Sequence, residues 1–215
     1  VGIPYCRGGV MAMKPECRHS LEGWRRRIAG WVERPEPLNL LNADIFYDFR
    51  PVYGDFGLAG ELRTLALQAA TARPFLAMLG AELSDMGTPL GLFGNFRTDR
   101  GRVDLKKGGL LPLVSAARVM ALRDGSAALD TGGRLAAAAA AGHLSRDDEV
   151  QLKDAYELLL RLVLEQQIAD IRAGVAPTTG VTVARLDGLT RHRLKEALRR
   201  IAHVDWTVRD SLTAS

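Results

Sequence analysis

The stretch Ile45–Pro51 sets an aspartate and an arginine two positions apart in the run Ile-Phe-Tyr-Asp-Phe-Arg-Pro. Its alternation reads as a short strand that stops at the proline, with Ile45, Tyr47 and Phe49 on one face and Phe46, Asp48 and Arg50 on the other. A carboxylate held at a strand end beside a guanidinium can ligate a metal or position a phosphate. The same pair can equally serve as a structural ion pair. A second candidate is Lys106-Lys107-Gly108-Gly109, which stands at the start of a helix. Glycines let backbone amides approach an anion, the helix N-terminus adds partial positive charge, and two lysines supply mobile cations. That combination suits a phosphate. Its spacing differs from the usual phosphate-loop signature, so the stretch also reads as a plain hairpin exit. Cys6, Cys17 and His19 fit no zinc-ligand spacing.

The elements that must position these groups are mostly helical. Pro15 suits a first helical turn, and Leu21, Trp24, Ile28, Trp31 and Val32 recur at helical spacing, so one helix is expected from Pro15 until Pro35 and Pro37 end it. Before it, a proline and a glycine pair in residues 1–13 forbid a helix. Asp55 caps a helix carrying Leu58, Leu62, Leu65 and Ala69, and Arg73-Pro74 restarts a shorter one through Phe75, Leu79 and Leu83. Glycines then punctuate two runs, Leu90–Thr98 and Arg102–Lys106, joined by Thr98-Asp-Arg-Gly-Arg102, which predicts a small β-hairpin.

Beyond the hairpin the pattern is helical throughout. Helices are expected at about 111–123, through the alanine run capped by Asp130 or Thr131 and ended at Gly142, from Ser145 to about Arg172, and from about Thr190 to Val208. Short turns between them suggest an antiparallel bundle. The expected fold class is therefore mainly α, an antiparallel helical bundle with a short N-terminal strand region and a small β-hairpin.

The 215 residues are 47% apolar and 25% charged, ordinary for a globular chain able to bury a core. Aromatics are only 6%, while leucine and alanine dominate the second half, which favours helix over sheet. The longest apolar run, Leu135–Gly142, falls far short of the roughly 20 residues that span a bilayer. Two cysteines imply no disulfide framework, and a reducing cytoplasm is the simplest compartment. A net charge of +4 suits a phosphate-bearing ligand or an acidic protein, or simply solvated helix faces. The basic clusters carry no interleaved aromatics or recognition motif, so nothing points to nucleic acid. The chain starts at Val1 without an initiator methionine or signal peptide and reads as a piece of something longer.

Taken in order, Gly8-Gly9-Val-Met-Ala12, Asp44–Arg50 with Gly54-Asp55, Val103–Pro112 with Ala117-Arg118 and Ala121-Leu122, then Leu160-Arg161 and Gln166-Gln167, form a set. The set resembles the putative nucleotidyltransferase family of bacterial signalling proteins with cyclic-nucleotide-binding or CBS regulatory domains, especially its C-terminal substrate-binding domain. That family is similar to glutamine synthetase adenylyltransferase and to the uridylyltransferase of the PII protein. The resemblance implies that residues 1–54 close a polymerase-β-type nucleotidyltransferase domain, incomplete here, and that residues 55–215 form a helical substrate-binding domain. It implies that Asp48 is the third metal-binding carboxylate, and that Arg50, Lys106, Lys107, Gly108 and Gly109 bind phosphates or acidic substrate groups.

Such enzymes hold Mg²⁺ with two further aspartates that follow a Gly-Ser turn. Residues 1–43 contain no aspartate, so Mg²⁺ is expected only in an intact enzyme, and this chain alone is expected to be inactive. The implied reaction moves a nucleoside monophosphate from a nucleoside triphosphate to a hydroxyl of a protein or small molecule. The implied partners are those two substrates and the upstream catalytic and regulatory domains. The alternative is a non-catalytic helical regulatory or interaction module of a signal-transduction protein, in which Asp48 and Arg50 pair with each other or with neighbours.

Overall fold

The computed structural model describes residues 5–6, 8–34, 36–84, 86–204 and 208. The expectations resting on residues 1–4, on Pro35 and on the reach of the last helix through 205–207 lie outside the described residues. Among the described residues, eight α-helices and one two-stranded antiparallel sheet make the fold mainly α. No helix among the described residues is long and apolar enough to cross a membrane. The contacts group into two compact units that meet in sequence at Ala72 and Arg73.

In the first unit, Pro15–Cys17 forms only a 3-10 turn, and α1 spans Leu21–Glu33. The single helix expected from Pro15 is split because Ser20 takes the capping role, its hydroxyl accepting the Gly23 amide at 3.1 Å. Helix α2, Pro37–Phe46, begins with proline at its first position, where no amide is lost. Helix α3, Phe56–Ala70, is capped by Asp55 through the Gly57 amide at 2.8 Å, as its sequence predicts.

The strand expected at Ile45–Pro51 is absent: Ile45 and Phe46 are the last turn of α2, and Tyr47 caps it with backbone in the αR region. Burial explains why. Leu40, Ala43 and Tyr47 are buried at helical spacing while Ile45 is 47% exposed, so period-2 alternation never defines a face here. Phe46 instead packs in an aromatic cluster, with ring centroids 5.0 Å from Trp24, 5.4 Å from Trp31 and 5.1 Å from Phe49.

The second unit is built around α5, Leu111–Arg123, in which every residue from Ala116 to Leu122 is buried. A helix buried on all sides must be central, and α5, which buries even Arg118, packs against α4 (Arg73–Ser84), α6 (Thr131–Ala140) and α8 (Gly188–Ala202). Alanines at 116, 117, 121 and 138 are buried and keep those approaches short. The long helix α7, Arg146–Arg172, packs on α6 and α8. Caps stand where the sequence places them: Asp130 accepts from the Gly133 amide at 2.7 Å, and Ser145 from that of Asp148 at 3.0 Å. Asp187, unread in the sequence, caps α8 through the Thr190 amide at 2.8 Å, and bonds from Thr190 hold its carboxyl below the usual range.

The predicted hairpin survives only as its turn. Asp99 and Arg102 exchange backbone bonds of 2.9 Å across Arg100 and Gly101, both left-handed with φ of 49° and 77°. Strand β1, Arg102–Asp104, then pairs not with Leu90–Thr98 but with β2, Gly180–Thr182, with Val103 opposite Val181. Both valines are buried, so the pairing is fixed by long-range burial rather than by the adjacent turn.

Between β1 and α5, Lys106–Leu110 forms one wide π-helical turn. A Cβ on Gly109 would lie 2.2 Å from Leu159 Cδ2 of α7 and 3.2 Å from Leu198 Cδ2 of α8. Glycine is therefore required for the turn to sit against both helices. Gly109→Ala is expected to destabilise the chain by about 1–3 kcal/mol through overpacking, read as a lower urea midpoint at unchanged m-value.

Candidate functional site

Asp48 and Arg50 belong to the first unit and the Lys106–Gly109 turn to the second. Asp48 is exposed on the turn that follows α2, and Arg50 is exposed just beyond it. The turn is held from below. Arg63 of α3 donates to the carbonyls of Tyr47 (3.3 Å) and Phe49 (3.2 Å), and its guanidinium stands 5.5 Å from the Phe49 ring centroid. Tyr47 is buried with its hydroxyl donating to the Ala66 carbonyl at 3.0 Å, and burial pushes its phenol well above the ordinary range. Asp48 is thus presented by a braced turn, not by a strand end.

A metal site needs several carboxylate or imidazole ligands converging on one point. Among the described residues no group of three or more His, Cys, Asp or Glu is placed to hold a metal ion.

The Lys106–Gly109 turn has a different logic from the one its sequence suggests. Asp104, two residues before Lys106, accepts the amides of Lys106 (3.0 Å) and Lys107 (3.1 Å) and the Thr179 hydroxyl (2.9 Å) through one carboxylate oxygen. The anion at this helix start is supplied by the chain itself. Gly108 and Gly109 are buried for close packing, Gly108 against Pro89, where a Cβ would lie 2.6 Å from Cδ. The lysine side chains are exposed.

Lys107 and Gly108 nevertheless line a cleft of about 730 Å³, whose walls also include Arg97, Arg100, Arg102, Thr98, Thr178 and Thr179. Lys106 does not line it. The side chains of Arg97, Arg100 and Lys107 are exposed and make no hydrogen bond or ion pair with any described residue. Cations without internal partners around a concave surface with hydroxyls and open backbone are suited to an anionic ligand.

Arg102 is spent elsewhere. Its guanidinium forms a two-pronged pair with Asp170 of α7, at 2.6 and 2.7 Å, and Asp170 is only 3% exposed. Gln166 donates to the same carboxylate at 2.8 Å while its oxygen accepts the Thr182 amide at 3.0 Å. Arginine, aspartate and glutamine thereby tie both strands to α7 and fix the floor of the cleft. The bond from Arg102, then that from Gln166, holds the Asp170 carboxyl below the usual range, and Asp170 in turn raises the Arg102 guanidinium.

Of the residues singled out in the sequence, Lys107 and Gly108 line the cleft, whereas Arg97, Arg100, Arg63, Asp104 and Asp170 are not among those candidates. Only Asp104 had a local signal, an aspartate placed to accept amides two and three residues on. The others act across contacts remote in sequence.

Because the Asp170 carboxyl is lower in the folded than in the unfolded chain, its contribution is complete above the unfolded value near 4 and is lost as pH falls through the folded one. Glu149, held low by Lys153 at 2.6 Å and by Arg146, acts with the same sign. Asp170→Asn is expected to lower the thermal midpoint at pH 7 and to flatten its fall between pH 5 and 2, measured by circular dichroism melts across that range.

Residues 73–211 match the family model described as the putative nucleotidyltransferase substrate binding domain, and residues 1–38 match one described as a putative nucleotidyltransferase. No curated protein and no solved structure matches the chain.

Proposed function

We propose a function for this chain from the family to which it belongs, that of the putative nucleotidyltransferase substrate binding domain, and from the cleft beside Lys107. The second unit binds an anionic, phosphate-bearing substrate of a nucleotidyl transfer reaction. The observation that carries this reading is the set of Arg97, Arg100 and Lys107, cations without described partners on one cleft of about 730 Å³. In the reaction, an acceptor hydroxyl oxygen bonds to the α-phosphorus of a nucleoside triphosphate, the bond to the β-phosphate oxygen breaks, pyrophosphate leaves, and the hydroxyl proton passes to solvent or a base. Asp48 is proposed as one carboxylate of a magnesium site whose other ligands are not among the described residues. Arg50 is proposed to face the phosphates beside it. On this reading the chain transfers nothing by itself, and its fuller setting is a cytoplasmic signalling protein with regulatory domains.

A non-catalytic helical module is the second reading. It is favoured by Asp104, which already occupies the amides of Lys106 and Lys107.

Calorimetric titration of the chain with a nucleoside triphosphate, and separately with pyrophosphate, tests the cleft. Binding is expected to weaken with added salt, and Arg97→Ala, Arg100→Ala or Lys107→Ala should each cost about 1.5–3 kcal/mol, the range for bonds to charged groups. Lys106→Ala, off the cleft, should change little. Binding indifferent to the triple variant would remove this assignment.

The two readings separate in a labelled-nucleotide transfer assay of the full-length protein. Asp48→Asn is expected to abolish transfer, and unchanged transfer excludes Asp48 as a metal ligand.

A further inference from the structure

Helix α7 is apolar on two opposite sides. Its inner side, including Leu152, Ala155, Leu159 and Leu162, is buried against α6 and α8. On the outer side Leu160, Leu164, Ile168 and Ile171 are exposed by 42%, 58%, 41% and 63%. Steps of four, four and three residues place these side chains on one stripe of the helix. Large aliphatic groups gathered on one exposed stripe mark an interaction surface more than scattered ones do.

The charges beside the stripe specify the occupant. Asp154, Arg161, Glu165 and Arg172 are all exposed, and at 100° per residue they fall on the same flank of the stripe. Read along the helix their signs alternate: minus, plus, minus, plus. Asp154 and Arg172 are equidistant from position 163, and so are Arg161 and Glu165. When two such helices lie antiparallel about a two-fold axis, like flanks meet in reversed order. A copy of α7 crossing at position 163 therefore sets Asp154 beside Arg172 of the second copy and Arg161 beside its Glu165, twice over by symmetry.

The same register interleaves the apolar groups. Leu160 falls between Leu164 and Ile168 of the other copy, and Leu164 between Leu160 and Leu164. One register thus satisfies the flank charges and interleaves Leu160 and Leu164, while Ile168 and Ile171 lie toward positions 158 and 155 of the other copy, past its exposed Glu157.

We propose that the outer face of α7 is an isologous, antiparallel interface with a second copy of this chain. Within each chain Arg161 and Glu165 already approach to 3.9 Å as an exposed pair. Across the interface the same groups exchange partners and set the register. The interface is separate from the three cleft cations, so its failure leaves the proposed substrate site untouched.

Light scattering and sedimentation of the full chain over a wide concentration range test this. A dimer is expected, weakened at least about tenfold by Leu164→Glu and by Glu165→Arg, with circular dichroism unchanged because both positions are exposed. The decisive variant is the double exchange Arg161→Glu with Glu165→Arg, which should restore the dimer because the flank remains complementary to its reversal. A monomer at every concentration, a dimer indifferent to Leu164→Glu, or a double exchange no better than Glu165→Arg would each overturn the proposal.

Discussion

The pair between Arg102 and Asp170 joins residues 68 positions apart and links the sheet to the longest helix of the second unit. A buried carboxylate is costly unless its charge and its lone pairs are met. Here Arg102 meets both oxygens and Gln166 adds a third bond, while Gln166 also takes the Thr182 amide. The sheet has only two short strands, marginal by themselves. Anchoring them to α7 by side-chain bonds is what lets so small a sheet hold one wall of a cleft in place.

The lip of that cleft is set by close packing of another kind. The wide turn at Lys106–Leu110 carries Lys107 outward and Gly109 inward, and Gly109 is pressed against Leu159 and Leu198. Since α5 continues directly from this turn and is buried along most of its length, the turn cannot shift without disturbing the core. Asp104 completes the arrangement by holding the amides of Lys106 and Lys107 together with Thr179. A rigid frame with mobile cations at its edge can bind an anion without ordering much backbone on binding.

In the first unit Arg63 does comparable work, holding the carbonyls on either side of Asp48. The aromatic cluster of Trp24, Trp31, Phe46 and Phe49 makes the end of α2 a packed corner. Among the described residues every packed pair of aromatic rings includes Trp24, Trp31 or Phe46, which is why the run from Ile45 to Phe49 looks like a strand in composition while serving as a helix end.

The sequence by itself determined the mainly helical class, the ends of most helices, the tight turn at Arg100-Gly101, and the family resemblance at the residues that match. These features are local: Asp55, Asp130 and Ser145 bond amides two or three residues away, so spacing along the chain is spacing in the structure. It also singled out Gln166 and the Lys106–Gly109 stretch, but not what they do. The tertiary structure alone decided that β1 pairs with β2, that Ile45–Pro51 is a helix end, that Gly109 packs under two helices, and that Arg97 and Arg100 share a cleft with Lys107. Each depends on which distant surface covers a residue, and burial by a remote partner leaves no periodicity in the residues it selects.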